Sequence, residues 1–173
     1  MSELATLALA LPGDAREIAE MSRDFIEHGL NWSWTPARVQ CFIAGADSCV
    51  VVARRGGRAF GDPRHGTVPH GSGRRGIDAF AIMRFGEEAA HLNLLAVAPE
   101  HRRQGVGRQI MDWLAETAEI AGVFRINLEL RQQNHPARAF YHRLGFVESG
   151  VMPGYYPGGE AALRMCRRLG KPL

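Results

Sequence analysis

Lysine is nearly absent from this chain. Lys171 is the only one among 21 Lys and Arg residues, so arginine carries almost all of the positive charge, and the net charge is +3. Composition bias in the source genome explains such a balance as readily as attraction to an anionic partner does. The arginines are spread along the chain, with no basic stripe interleaved with aromatics, so no nucleic-acid partner is expected. A small phosphorylated ligand suits them better. Cysteine is scarce too. Cys41, Cys49 and Cys166 are scattered and odd in number, which excludes a disulfide framework and points to a reducing compartment, the cytoplasm. There is no CxxC and no compact His/Cys cluster, so no metal is expected. No apolar run approaches the roughly 20 residues needed to cross a membrane. Leu4–Leu11 (LATLALAL) resembles a signal-peptide core, but Glu3 precedes it and Pro12-Gly13-Asp14 is not a small-x-small cleavage site. It reads instead as a first strand. Internal repeats and domain linkers are also missing. At 173 residues, 46% hydrophobic and 23% charged, the chain fits one domain, 1–173, with its own core.

Glu3–Leu11 is the expected first strand. Asp14–His28 places Ile18, Met21, Phe25 and Ile26 at helical spacing and stops at Gly29. Asn31-Trp32-Ser33-Trp34 is a polar-aromatic loop. Thr35 caps a second helix, with Pro36 at its first position, running to about Ala46. Ser48–Arg54 is β-branched and reads as a strand. Residues 56–76 are dense in Gly, Pro and Arg and read as a loop insertion, with His65 and His70 expected in solvent. Strands are expected at Ile77–Phe85, Ala90–Val97, Val123–Leu130, Phe146–Met152 and Ala161–Arg167. Helices are expected at Gly105–Ala121 and Asn134–Leu144. Strand–helix–strand order after Ala90 requires at least one parallel pair. The whole is one α/β domain, and the strand edge near Phe146–Met152 leaves a homodimer open.

The segment Arg102-Arg103-Gln104-Gly105-Val106-Gly107 sits where the Ala90–Val97 strand gives way to a helix. Glycines at 105 and 107 let the backbone approach a ligand closely. The helix start offers unpaired N–H groups and a positive dipole end. Arg102, Arg103 and Arg108 add charge, and the sum suits a pyrophosphate. A bare GxG is also compatible with a tight turn and no ligand. It is neither a Walker A motif nor the dinucleotide fingerprint.

Arg102-x-x-Gly105-x-Gly107 resembles the Q/R-x-x-G-x-G/A pyrophosphate loop of the GNAT N-acetyltransferase superfamily. The resemblance continues through LLAVAPEHR before it and Arg131, NHPARAFYHRLGF and GYYPGGEAALRM after it, covering Ala90–Met165. Within the superfamily the pattern is most similar to ribosomal-protein N-terminal alanine acetyltransferases. It implies a GNAT fold: a central mixed, mostly antiparallel sheet, with a splayed parallel strand pair opened by a bulge near Asn93–Ala96, flanked by helices. It further implies acetyl-CoA as co-substrate. Backbone groups of Leu95, Ala96 and Val97 would hold its acetyl and pantetheine portion. Arg102, Arg103, Gln104, Gly105, Val106, Gly107 and Arg108 would hold the pyrophosphate, and Asn134 would touch the cofactor.

Acetylating an amine needs a base for the amine and an acid for the departing thiolate. Glu129 alternates with Ile126, Leu128 and Leu130 on a strand expected to be covered, where a carboxylate is out of character. It is the candidate base; the alternatives are an ion pair to Arg131 or a neighbour, or a solvated glutamate on an exposed face. Tyr141 is the candidate acid, as the resemblance implies; the alternative is a core tyrosine. His91 and Asn93 are candidates for a water chain to the amine. His101, His135 and His142 lie nearby and read as structural or exposed. Trp32, Trp34, Tyr155 and Tyr156 are candidates for the acceptor wall, with packing an equally good reading. The expectation is an N-acetyltransferase for a primary amine, with a protein N-terminus as a candidate acceptor. The alternatives are a small-molecule amine acetyltransferase, a non-catalytic acyl-CoA-binding module, or a nucleic-acid-binding protein.

Overall fold

A computed structural model describes residues 5–55 and 76–170. The loop expected over 56–76, with His65 and His70, lies outside the described residues except for Gly76, and so does Lys171. The strands are β1 (Thr6–Leu9), β2 (Ser48–Arg54), β3 (Ala79–Phe85), β4 (Ala89–Val97), β5 (Arg125–Arg131), β6 (Val147–Met152) and β7 (Ala162–Arg168). The helices are α1 (Ala15–Phe25), α2 (Pro36–Ala44), α3 (Val106–Ile120) and α4 (His135–Arg143). The strands form one sheet of seven in the order β1-β2-β3-β4-β5-β7-β6. Every neighbouring pair is antiparallel except β4–β5. β6 closes one edge of this sheet with Val147 and Val151 exposed.

Two apolar layers sandwich the sheet. Ile110, Met111, Leu114 and Ala118 on α3 repeat at helical spacing and bury against one face, with Phe146 and Met165. Ile18 and Ala19 of α1 and Val39 of α2 bury against the other, over Val50, Val52, Phe80 and Ile82. Thr35 caps α2 by accepting from the Arg38 N–H, as its sequence predicts. α1 ends at Phe25, three residues short of the sequence expectation. The N–H groups of Ile26 and Glu27 both turn back onto the Ser22 carbonyl and tighten the helix end.

The register of β4 decides where a site can form. Ile82 pairs with Leu94 and Met83 with Leu92, so Asn93 is the extra residue of a bulge. A strand alternates faces with period two, and one inserted residue reverses the alternation. Ala90 and Leu92 therefore pack with α3. Leu94 and Ala96 pack with α1 and α2. Pairing of β4 with β5 runs from Ala89↔Arg125 to Leu92↔Leu128 and goes no further. Beyond the bulge the two parallel strands diverge, leaving backbone groups of Leu95 to Val97 on the β5 side without strand partners.

Candidate active site

Two cavities flank the splayed strands. The larger, about 740 Å³, opens along the start of α3. Among its lining residues are Leu95, Ala96, Val97, Arg102, Arg103, Gly105, Val106, Gly107, Arg108, Asn134 and Tyr141. Gly105 adopts φ +83° as the residue before the helix, a conformation that favours glycine. Arg103 adopts φ +63°, unusual for a side-chain-bearing residue and costing on the order of 1–2 kcal/mol. The loop is thus bent against local preference to bring the first N–H groups of α3 to the cavity. A Cβ on Gly107 would stand 3.3 Å from Phe140 Cζ and 3.4 Å from Val97 Cγ2, which leaves only glycine in easy fit. Arg102 is tied down by a 3.0 Å bond from its Nε to the Val97 carbonyl.

Gln104 is placed differently from the sequence expectation. Its amide donates to the Glu100 carbonyl at 2.9 Å, and its oxygen accepts from the Arg55 guanidinium, so it does not line the cavity. Asn134 does line it, but its Oδ1 also accepts from the Ala137 N–H at 3.2 Å and caps α4.

The second cavity, about 500 Å³, lies between the α1–α2 loop and the turn after β6. Trp34, His91, Asn93, Glu129, Tyr155 and Tyr156 line it, and Leu95, Asn134 and Tyr141 are shared with the first. Trp32 does not line it. Its indole Nε1 donates to the Ala19 carbonyl at 3.2 Å, and Arg23 stacks on its ring, so it packs outward against α1. Trp34 is 7% exposed, with its ring against Phe42 and Arg38 over it; it both packs and forms wall.

Glu129 sits one residue past the last step at which β5 pairs with β4. Its Oε2 meets His91 Nε2 at 2.5 Å, and its Oε1 accepts from Arg164 Nε at 3.1 Å. The hydrogen bond from His91, with the Arg164 guanidinium beside it, outweighs desolvation and holds its carboxyl below the usual carboxylate range. Arg131 is not its partner. Glu129 and Arg164 are directly opposed across the β5–β7 pair, whereas Arg131 reaches the Glu160 carboxylate at 3.5 Å and the His28 carbonyl. Tyr141 is 8% exposed, edge-on to Phe140 and Phe146, and burial pushes its phenol well above the ordinary value. It therefore stays protonated throughout the neutral range.

Glu27 carries no signal in the sequence, because a glutamate near a helix end ordinarily reads as solvated. It is buried in the second cavity's wall and accepts from four donors: Ser22 Oγ, Ser33 N, Ser33 Oγ and Trp34 N. It thereby fixes the loop that carries Trp34. Glu27→Ala orphans these donors at a cost of about 1–3 kcal/mol. The variant is expected to show a lowered urea midpoint and a raised acceptor KM, with acetyl-CoA affinity little changed.

Among the other histidines, His101 binds Asp78 at 3.2 Å beside the first cavity, and His142 binds Glu148 at 3.0 Å on the far side of α4. Among the described residues, no three His, Cys, Asp or Glu side chains are grouped to hold a metal. No helix among them is long and apolar enough to cross a membrane.

Comparison with known families matches residues 46–148 to the acetyltransferase (GNAT) domain. The chain belongs to the GNAT family. Its sheet, with one parallel pair flanked by helices, is the fold of that family. The [ribosomal protein bS18]-alanine N-acetyltransferase of Escherichia coli K12 is 40% identical over 90 residues, which cover 50% of this chain and 61% of that protein. This GNAT chain thus spans about three fifths of the length of that relative. An uncharacterized protein of Mycobacterium leprae is 30% identical over 96% of this chain and 41% of its own length. The crystal structure of the Escherichia coli ribosomal-protein-S18-alanine N-acetyltransferase superposes with a TM-score of 0.75 at 25% identity, covering 98% of this chain and 97% of that one. The yncA structure from Salmonella typhimurium, solved with its cofactor acetyl-CoA, shares the fold at a TM-score of 0.73 and 17% identity, covering 98% and 96%.

Proposed function

We propose that this GNAT protein transfers the acetyl group of acetyl-CoA to a primary amine by direct attack, and that the amine is a protein N-terminus. The observation that carries the reading is the meeting of the two cavities at Tyr141, which lines both. One cavity has an anion cradle; the other has a carboxylate–imidazole pair.

The residues present fit acetyl-CoA. The cradle pairs the start of α3 with Arg102, Arg103 and Arg108, and Gly107 leaves room that a Cβ would fill. The unpaired edge of Leu95–Val97 offers backbone donors and acceptors to an acyl arm. The co-substrate supplies an acetyl group activated as a thioester. Tyr141 holds a proton at its Oη for the departing sulfur. The Glu129–His91 pair stands on the acceptor side, where the amine loses its proton. A placed acid and a placed base each contribute roughly 10²–10⁴-fold. No nucleic acid or metal enters this scheme, and the cytoplasm is the compartment it suits.

The choice of a protein N-terminus draws support from the alanine N-acetyltransferases among the relatives. The cleft between the α1–α2 loop and Tyr155-Tyr156-Pro157 also leads from the surface to Glu129. Thiol release from acetyl-CoA, measured with N-terminal peptides beside polyamines, amino acids and aminoglycosides, tests the acceptor. The highest kcat/KM is expected with peptides carrying a free α-amine. Faster release with a small amine would replace the N-terminus as acceptor. Tight CoA binding without release for any amine would leave only a binding module.

A further inference from the structure

The short contact between His91 and Glu129 divides the base's work unequally between them. His91 Nε2 is committed to Glu129 Oε2 at 2.5 Å. His91 Nδ1 meets no partner among the described residues and is not buried, and His91 lines the second cavity. The Glu129 side chain is only 11% exposed, and both its oxygens are engaged, by His91 and by Arg164. The His91 side chain is 41% exposed. An anion held by two cationic or hydrogen-bonding partners is a poor proton acceptor, but it is a good anchor for an imidazole. A carboxylate bonded at one ring nitrogen fixes the proton there and leaves the lone pair on the other, the logic of a carboxylate–histidine pair in hydrolases.

We propose that His91 is the base that deprotonates the acceptor amine at its Nδ1, and that Glu129, clamped by Arg164, is a positioning residue that fixes the ring and its tautomer. This rests on the N-acetyltransferase reading above. An ammonium entering the cavity gives one proton to Nδ1. The freed nitrogen lone pair forms the N–C bond to the acetyl carbon as the C–S bond breaks. The sulfur takes the Tyr141 proton, and the second amine proton, shed by the new amide nitrogen, replaces it. The imidazolium returns its proton to solvent through its exposed edge. The sum is amide, free thiol and one released proton.

The charged and titratable groups around His91 come from several elements. Glu129 faces it from β5 and Arg164 lies behind Glu129 on β7. Arg84 is its register partner on β3 but turns to Asp47 at 2.9 Å. Glu27, Arg38, Arg131, Tyr141, Tyr155 and Tyr156 share the cavity; Glu27 is satisfied by its own four donors, Arg131 turns to Glu160 and Arg38 lies over Trp34.

The test uses the whole chain with acetyl-CoA and the best acceptor from the amine screen, in wild type, His91→Ala, His91→Gln and Glu129→Gln. His91→Ala is expected to lose roughly 10²–10³-fold in kcat, and millimolar free imidazole should restore part of it. Glu129→Gln should lose less and gain nothing from imidazole. The acidic limb of the wild-type rate–pH profile should move up to the ionisation of the acceptor amine itself in both His91 variants, and should not move there in Glu129→Gln. Independently of activity, ¹⁵N NMR of the histidines, assigned by difference with His91→Gln, should place the His91 proton on Nε2. That preference should weaken in Glu129→Gln. Unchanged acetyl-CoA affinity would show each variant folded. An active wild type beside a fully active His91→Ala, or a Glu129→Gln as inactive as His91→Ala with no imidazole rescue, would overturn the assignment while leaving the N-acetyltransferase reading intact. A wild type that acetylates no amine would overturn both.

Discussion

Tyr141→Phe is expected to lower kcat by roughly 10²–10³-fold and to leave acetyl-CoA affinity nearly unchanged. The ring is held edge-on between Phe140 and Phe146, and phenylalanine keeps that packing. The substitution removes only the hydroxyl at the junction of the two cavities. Burial raises the phenol pKa, so the proton is present at every pH at which the reaction would run. The same dry surroundings raise the proton affinity of a sulfur anion leaving beside it, which lets a weak acid still donate. Equal losses in kcat and in binding would assign Tyr141 to holding the co-substrate rather than to moving a proton.

The second large effect is expected at Gly107. Gly107→Glu should abolish acetyl-CoA binding, read by calorimetry, because the side chain would grow into the cradle and place an anion where phosphates are expected. Its Cβ alone meets Phe140 and Val97 at 3.3 and 3.4 Å, so Gly107→Ala serves as the mild control and should weaken binding only modestly. Both variants should keep the wild-type fold by circular dichroism, since Gly107 lies in the first turn of α3 rather than its centre. Undiminished binding in Gly107→Glu would move the phosphate site away from this helix.

Much of the site was legible in the sequence because it depends on short-range chemistry. Arg102 to Gly107 marks a strand-to-helix turn, and the structure places that turn on a cavity beside Leu95–Val97. Glu129 stands out by its place on a covered strand and Tyr141 by the family resemblance, and they line one cavity. What was not legible depends on register. His91 and Glu129 are 38 residues apart, and their contact exists only because β4 and β5 pair in parallel from Ala89 to Leu92. Arg164 reaches Glu129 for the same reason, as its opposite residue across β5–β7. The bulge at Asn93 was expected, but its reversal of the inward face, from Leu92 to Leu94, carries no periodic signal. Trp32 and Trp34, two residues apart, would share a face of an extended strand. The loop instead turns one to α1 and the other inward, pinned by a Glu27 that reads as ordinary surface charge.

Acetyl transfer to a protein N-terminus is tested most directly by a fragmentation mass spectrum of an N-terminal peptide acceptor that also contains an internal lysine, after incubation with isotopically labelled acetyl-CoA. One labelled acetyl group is expected on the α-nitrogen of the first residue, formed by wild type and nearly lost in Tyr141→Phe. No label on any peptide, or label confined to the lysine side chain, would contradict it.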